Sequence, residues 1–132
     1  MGSLVVDSSV LVAFLDRNDA LHEPAARALE EAWDAEVELL IPSVAYGEAM
    51  VRPLRDAGEV LAEAEAFFDT QAIVPIDRHD AREAARLRGV HRPWLRMPDA
   101  LVLGVGLRRG ATVLTGDARW AAVSESVEVC GG

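Results

Sequence analysis

Five short apolar runs separated by longer alanine-rich stretches limit most strongly how this chain can fold. Leu4-Val5-Val6, residues 37–41, residues 72–76, Thr112-Val113-Leu114 and residues 127–130 read as strands. Residues 8–16, 22–35, 43–56, 60–70, 77–88, 98–110 and 117–123 carry helical spacing or helix punctuation. In residues 22–35, Ala25, Ala26, Leu29 and Trp33 share one face. Ser8 or Ser9 and Ser43 suit helix starts, and Gly89 and Gly110 suit helix ends. No two-residue hairpin signal joins any pair of strands. Strands that alternate with helices run parallel, and helices cover both sheet faces. The expectation is an α/β chain with one domain over residues 1–132. In such sheets, ligands bind beyond the carboxyl ends of the strands.

Composition removes several chemistries. Acids outnumber bases 22 to 13, for a net charge of -9. That balance argues against a protein that coats nucleic acid by charge alone. Every cation is an arginine, so Walker-type phosphate loops, Schiff-base chemistry and lysine-bearing receiver domains are excluded. A haloacid-dehalogenase-type phosphatase needs an aspartate two residues after Asp7, where Ser9 stands. Cys130 is the only cysteine, and the three histidines are scattered, which leaves no zinc spacing. Residues 1–15 are apolar but hold Asp7 and no cation, unlike a signal peptide or membrane span. The expected setting is the cytoplasm.

Four acids break the pattern of solvated helix faces. Asp7 and Asp117 follow apolar strands at their carboxyl ends. Asp99 begins an apolar helix, and Glu48 lies inside Val44-Ala45-Tyr46-Gly47-Glu48-Ala49-Met50-Val51. Asp7, Asp99 and Asp117 each have a plain structural use as helix caps. Glu48 is harder to place, because an unpaired buried carboxylate costs several kcal/mol. If the four converge, they repel one another unless cations bind. Oxygen-only ligands suit Mg²⁺ or Mn²⁺. Such ions serve phosphodiester cleavage by activating water and stabilising the leaving oxygen.

These stretches resemble the PIN-domain ribonucleases, and within them the VapC-type toxins of toxin–antitoxin pairs. The resemblance rests on Leu4-Val5-Val6-Asp7-Ser8-Ser9-Val10, Pro42-Ser43 leading to Glu48, Met97-Pro98-Asp99-Ala100-Leu101, and Ala111-Thr112-Val113-Leu114-Thr115-Gly116-Asp117. Their order and spacing span nearly the whole chain. The resemblance implies a three-layer α/β/α PIN-like fold with a mainly parallel five-stranded sheet. It implies an endoribonuclease using Mg²⁺ or Mn²⁺ and leaving a 5′-phosphate and a 3′-hydroxyl. Asp7, Glu48 and Asp99 match the three core acids and Asp117 the fourth, as catalytic and metal residues. Ser8 or Ser9 and Thr115 match hydroxyls that orient the ligands. The family also implies a homodimer and a small antitoxin in the active-site groove. Gly104 and Gly106 depart from the family, which often has alanines there, and this bears on packing. Two alternatives share the fold: an inactive PIN-like module that binds RNA or a partner, and a PIN nuclease of RNA processing.

The charge is unevenly distributed. Residues 1–66 hold four arginines and fourteen acids, and residues 67–132 hold nine arginines and eight acids. All nine fall between Arg78 and Arg119. Arg82 and Arg86 lie one helical turn apart, and Arg92 and Arg96 flank Trp94 in a loop. Arginine forks grip phosphates and aromatic rings stack on bases, so Arg82, Arg86, Arg92 and Arg96 are the candidate RNA contacts. Trp33 and Trp120 sit at expected core positions.

Overall fold

The structure is a computed structural model that describes residues 2–131. Its strands are β1 (Ser3–Val6), β2 (Glu38–Pro42), β3 (Ala72–Val74), β4 (Thr112–Thr115) and β5 (Val127–Val129). Its helices are α1 (Ser8–Leu15), α2 (His22–Asp34), α3 (Ser43–Asp56), α4 (Gly58–Phe68), α5 (Arg78–Val90) and α6 (Met97–Arg109). A 3-10 turn, Ala118–Ala122, precedes β5.

All four strand pairings are parallel, and the sheet order is β3-β2-β1-β4-β5. Val5 and Val6 point to opposite faces of β1, and both are fully buried. Helices therefore cover both sheet faces, as the unbroken apolar runs require. From β1 the chain moves outward to β2 and β3, then crosses to β4 on the other side and on to β5. The direction of winding reverses between β1 and β4. Such a reversal opens a crevice at the carboxyl ends of the two strands, because their connections leave in opposite directions.

Sequence expectation and structure differ at several points. Gly89 does not end a helix, since α5 continues through it to Val90. Burial of Ala84 and Leu87 on that helix outweighs the cost of about 1 kcal/mol for a helical glycine. The helix stops just before Arg92-Pro93, where a proline disfavours helical geometry in the residue ahead of it. Ser43 does not cap α3; its Oγ accepts from the backbone N of Ile76 at 3.3 Å and ties α3 to the end of β3. Trp33 is 38% exposed rather than core, and it packs edge-on to Phe14 and Phe67 at the rim of the core. Trp120 is buried as expected. Gly110 ends α6 in the left-handed conformation, with φ 62°.

Gly104 and Gly106 have a specific structural use. A Cβ on Gly104 would come within 3.2 Å of the Asp80 carbonyl oxygen and 3.3 Å of the Ala84 nitrogen, so α6 packs closely on α5. A Cβ on Gly106 would run into Val113 Cγ2 of β4. Asp80 lies in that tight α5–α6 contact, fully buried, where its place on a charged helix suggested a solvated face. It joins Asp77 in a reciprocal capping box and accepts from Arg108 Nη1 at 2.6 Å.

Candidate active site

The crevice at the carboxyl ends of β1 and β4 is built around Asp7, the residue that follows β1. Its backbone N–H still pairs with Leu114 of β4 at 3.0 Å, which holds the side chain at the winding reversal. Asp7 stands at the start of α1 but makes no side-chain cap there. Its Oδ2 instead accepts from Ser9 Oγ at 2.7 Å and from Thr115 Oγ1 at 2.9 Å.

The direction of these bonds follows from their donors. The N–H of Gly116 donates to Ser9 Oγ at 2.9 Å, and the N–H of Asp117 donates to Thr115 Oγ1 at 3.1 Å. Both hydroxyls are thus acceptors from the backbone and turn their own protons to Asp7. Gly116 permits this closeness, since a Cβ there would meet Leu21 Cδ1 at 2.9 Å and Ser9 Oγ at 3.3 Å. Next to Ser9 on α1, Ser8 Oγ donates to Glu48 Oε1 of α3 at 3.1 Å. Ser8, Ser9 and Thr115 all hold carboxylates in this way.

Asp7 Oδ1 is buried and has no hydrogen-bond partner. Burial pushes the Asp7 carboxyl up, against the pull of the Ser9 and Thr115 hydroxyls, and the charge of Glu48 adds to the rise. Asp99, half-buried in the first turn of α6, is pushed up to about 6. Burial is the main cause, the charge of Asp7 the next, and Arg96 opposes them. Glu48 and Asp117 also raise Asp99, so the charges of the other three acids all reach it.

Asp117 differs from the others. Its carboxylate accepts from Arg119 three times, twice from the guanidinium and once from the backbone, and stands below its usual pKa. The buried Trp120 Nε1 completes no hydrogen bond, yet its nearness slightly favours the charged form of Asp117. Of the named acids, Asp117 is therefore the one that also caps, by starting the 3-10 turn.

The donor chemistry suits a hard cation. The acids supply only oxygen, one of those oxygens is buried and unpartnered, and burial together with charge repulsion lifts Asp99. Among the described residues, no three His, Cys, Asp or Glu side chains stand close enough together to hold a metal ion.

The candidate RNA contacts divide. Arg96 acts on Asp99 by charge and so borders the acids. Arg92 is exposed in the same loop, next to Trp94, which is half-buried against the core. Arg86 is engaged by Glu83. Arg82 lies with His79, Arg86 and Arg108 along a hollow of about 420 Å³ on the α5–α6 side. Arg119 escaped the sequence reading; its position two residues after Asp117 was the available signal. Another hollow, about 430 Å³, runs beside Glu48 between Val12, Leu15, Val51, Pro53 and Val60.

A parallel α/β fold with carboxylates at its winding reversal defines a candidate hydrolytic site. The sequence matches the PIN domain over residues 4–126, and the chain belongs to that family. Comparison with curated proteins yields no significant match. Among solved structures, a toxin–antitoxin complex from Klebsiella pneumoniae is similar, at TM-score 0.79 and 22% identity over 96% of this chain and 97% of that one. Mycobacterium tuberculosis VapC20, a sarcin–ricin loop cleaving toxin, superposes at TM-score 0.72 and 20% identity, covering 92% and 95%. VapBC2 from Rickettsia felis, bound to a DNA fragment from its promoter, gives TM-score 0.78 and 12% identity over 98% and 99%. The expected PIN-like fold is the observed one, with a wholly parallel sheet.

Proposed function

We propose that this chain is a divalent-metal-dependent endoribonuclease acting as the toxin of a toxin–antitoxin pair. The observation that carries this reading is Asp7: a carboxylate fixed by two hydroxyls, with its other oxygen buried and unpartnered, within reach of the charges of Glu48 and Asp99. Asp7, Glu48 and Asp99 are the residues to hold Mg²⁺ or Mn²⁺, with Asp117 at their edge. When bound, the ion supplies Lewis-acid chemistry for phosphodiester hydrolysis. Ser9 and Thr115 keep Asp7 from rotating, and Ser8 aims Glu48. Arg92 and Arg96 supply cations on the approach to the site, despite the chain's net charge of -9. Hydrolysis leaves a 5′-phosphate and a 3′-hydroxyl.

The toxin role draws support from the similar toxin–antitoxin structures and from the apolar hollow beside Glu48. An amphipathic helix of an antitoxin would seat its apolar side on Val12, Leu15, Val51 and Val60 beside Glu48. The same reading carries a homodimer. No helix among the described residues is long and apolar enough to cross a membrane.

The test is cleavage of single-stranded RNA by the purified chain. Wild-type protein cleaves in Mg²⁺ and stops in EDTA, and Asp7→Asn is inactive in both. Cleavage at the wild-type rate by Asp7→Asn would overturn the assignment. Growth arrest on expression that persists unchanged in Asp99→Asn would separate any toxicity from the nuclease.

A further inference from the structure

Arg119 and Trp94 form an ordered cationic element at the edge of the acid cluster. Arg119 Nε donates to Asp117 Oδ1 at 3.1 Å and Nη2 to Oδ2 at 2.7 Å, so one edge of the guanidinium takes both carboxylate oxygens. The backbone N–H of Arg119 adds a third bond to Oδ1 at 3.0 Å. The other side of the guanidinium rests over the Trp94 ring, with Cζ 5.3 Å from its centroid. Trp94 is backed in turn by His91, edge-on at 6.1 Å.

This arrangement does more than a surface ion pair usually does. Exposed pairs hold long side chains loosely and contribute little to stability. Here three hydrogen bonds and a ring fix one arginine while its side chain stays 61% exposed. Its Nη1 donates to no group among the described residues, so a fork of N–H groups remains for an anion. A fixed guanidinium loses less entropy on gripping a phosphate than a mobile one. Asp117, with both oxygens on Arg119, offers an ion far less than Asp7, whose Oδ1 is unpartnered.

We infer that Asp117 anchors Arg119 rather than holding the metal, and that Arg119, steadied over Trp94, grips the RNA phosphate adjoining the cleaved bond. Arg119 contacts this phosphate, and the Trp94 ring under the guanidinium keeps it in place. Asp117 is then a positioning residue. The inference rests on the nuclease reading and assigns the substrate side of that site.

The experiment pairs Mn²⁺ titration by calorimetry with cleavage kinetics on single-stranded RNA, using the full chain. Asp117→Asn and Arg119→Ala should bind Mn²⁺ within about twofold of wild type, and Asp99→Asn at least about tenfold more weakly. Both rim variants should raise the KM for RNA about tenfold while kcat changes less, as loss of a charged phosphate contact predicts. Arg119→Lys should fall between, because a point charge keeps the attraction but not the fork. The double variant should be no worse than Arg119→Ala alone. Trp94→Ala should raise KM with Mn²⁺ affinity unchanged. If Asp117→Asn loses Mn²⁺ as Asp99→Asn does, or Arg119→Ala keeps the wild-type KM while Asp99→Asn is inactive, the inference fails alone. If wild-type protein cleaves no RNA, or Asp99→Asn cleaves normally, the nuclease reading fails and takes the inference with it.

Discussion

Thr115 Oγ1 lies 2.9 Å from Asp7 Oδ2, although 108 positions separate the two residues along the chain. The bond joins the ends of β1 and β4 across the winding reversal of the sheet. Thr115 is fully buried and its hydroxyl also accepts from Asp117, so one side chain fixes two of the four acids. Thr115→Val removes the hydroxyl and keeps the shape. It should lower unfolding free energy by about 1–3 kcal/mol in urea titration, because Asp7 and the Asp117 N–H both lose a partner. RNA cleavage should fall more than Mn²⁺-free stability alone explains. A valine variant as stable and active as wild type would remove this bond from the account.

The acids predict a pH dependence of stability. Asp99 titrates at about 6 when folded, against an ordinary value of 3.8. The folded protein therefore holds this proton more tightly than the unfolded chain does. Its contribution favours folding at low pH and is lost as pH rises through the window between those two values. Asp7 shifts in the same direction. In EDTA, the Tm of Asp99→Asn relative to wild type should climb as pH rises from 3.8 to about 6 and level off above that. A difference that stays flat across this range would contradict the raised value.

The buried charge at Asp80 is held by Arg108, whose side chain is partly exposed while Asp80 is sealed. Arg108→Ala leaves that carboxylate with only its capping partners in the α5–α6 contact. A loss of about 3 kcal/mol in chemical denaturation is expected, near the lower end for breaking a buried pair. The double variant Arg108→Met with Asp80→Leu should recover part of it. Equal stability of Arg108→Ala and wild type would mean that the capping box alone satisfies Asp80.

Two glycines in helices should respond oppositely to alanine. Gly89→Ala places a methyl in open space on α5 and should stabilise by about 0.5–1 kcal/mol. Gly106→Ala drives a methyl into Val113 and should destabilise by about 1–3 kcal/mol. Thermal melts of the two variants shifting in the same direction would refute this reading of the α6–β4 contact.

The parallel sheet was legible in the sequence because its cause is local. Val5 and Val6 can both be buried only if helices cover both faces, and the helical crossovers between successive strands, a 3-10 turn before β5, carry the chain back so that they run the same way. Asp7, Glu48, Asp99 and Asp117 stood out for a similar reason, as charges on apolar segments that need compensation. Asp80 and Arg119 did not stand out. Each sits among other charges in a polar stretch, and only the packing of neighbouring elements distinguishes them from solvated residues.

The uneven charge followed the same division. Counting shows that the arginines gather after residue 77, but counting does not separate Arg86, held by Glu83, from Arg96, which borders Asp99. The amino-acid order by itself determined the strands, their parallel sense and which acids lacked an obvious structural use. Hydrophobic periodicity and the cost of burying charge act through near neighbours, so a string of residues records them. Only the tertiary structure decided that Asp7 keeps an unpartnered oxygen while Asp117 gives both of its own to Arg119. Those outcomes depend on which side chains meet across the sheet, and distance in space, unlike period, is not written along the chain.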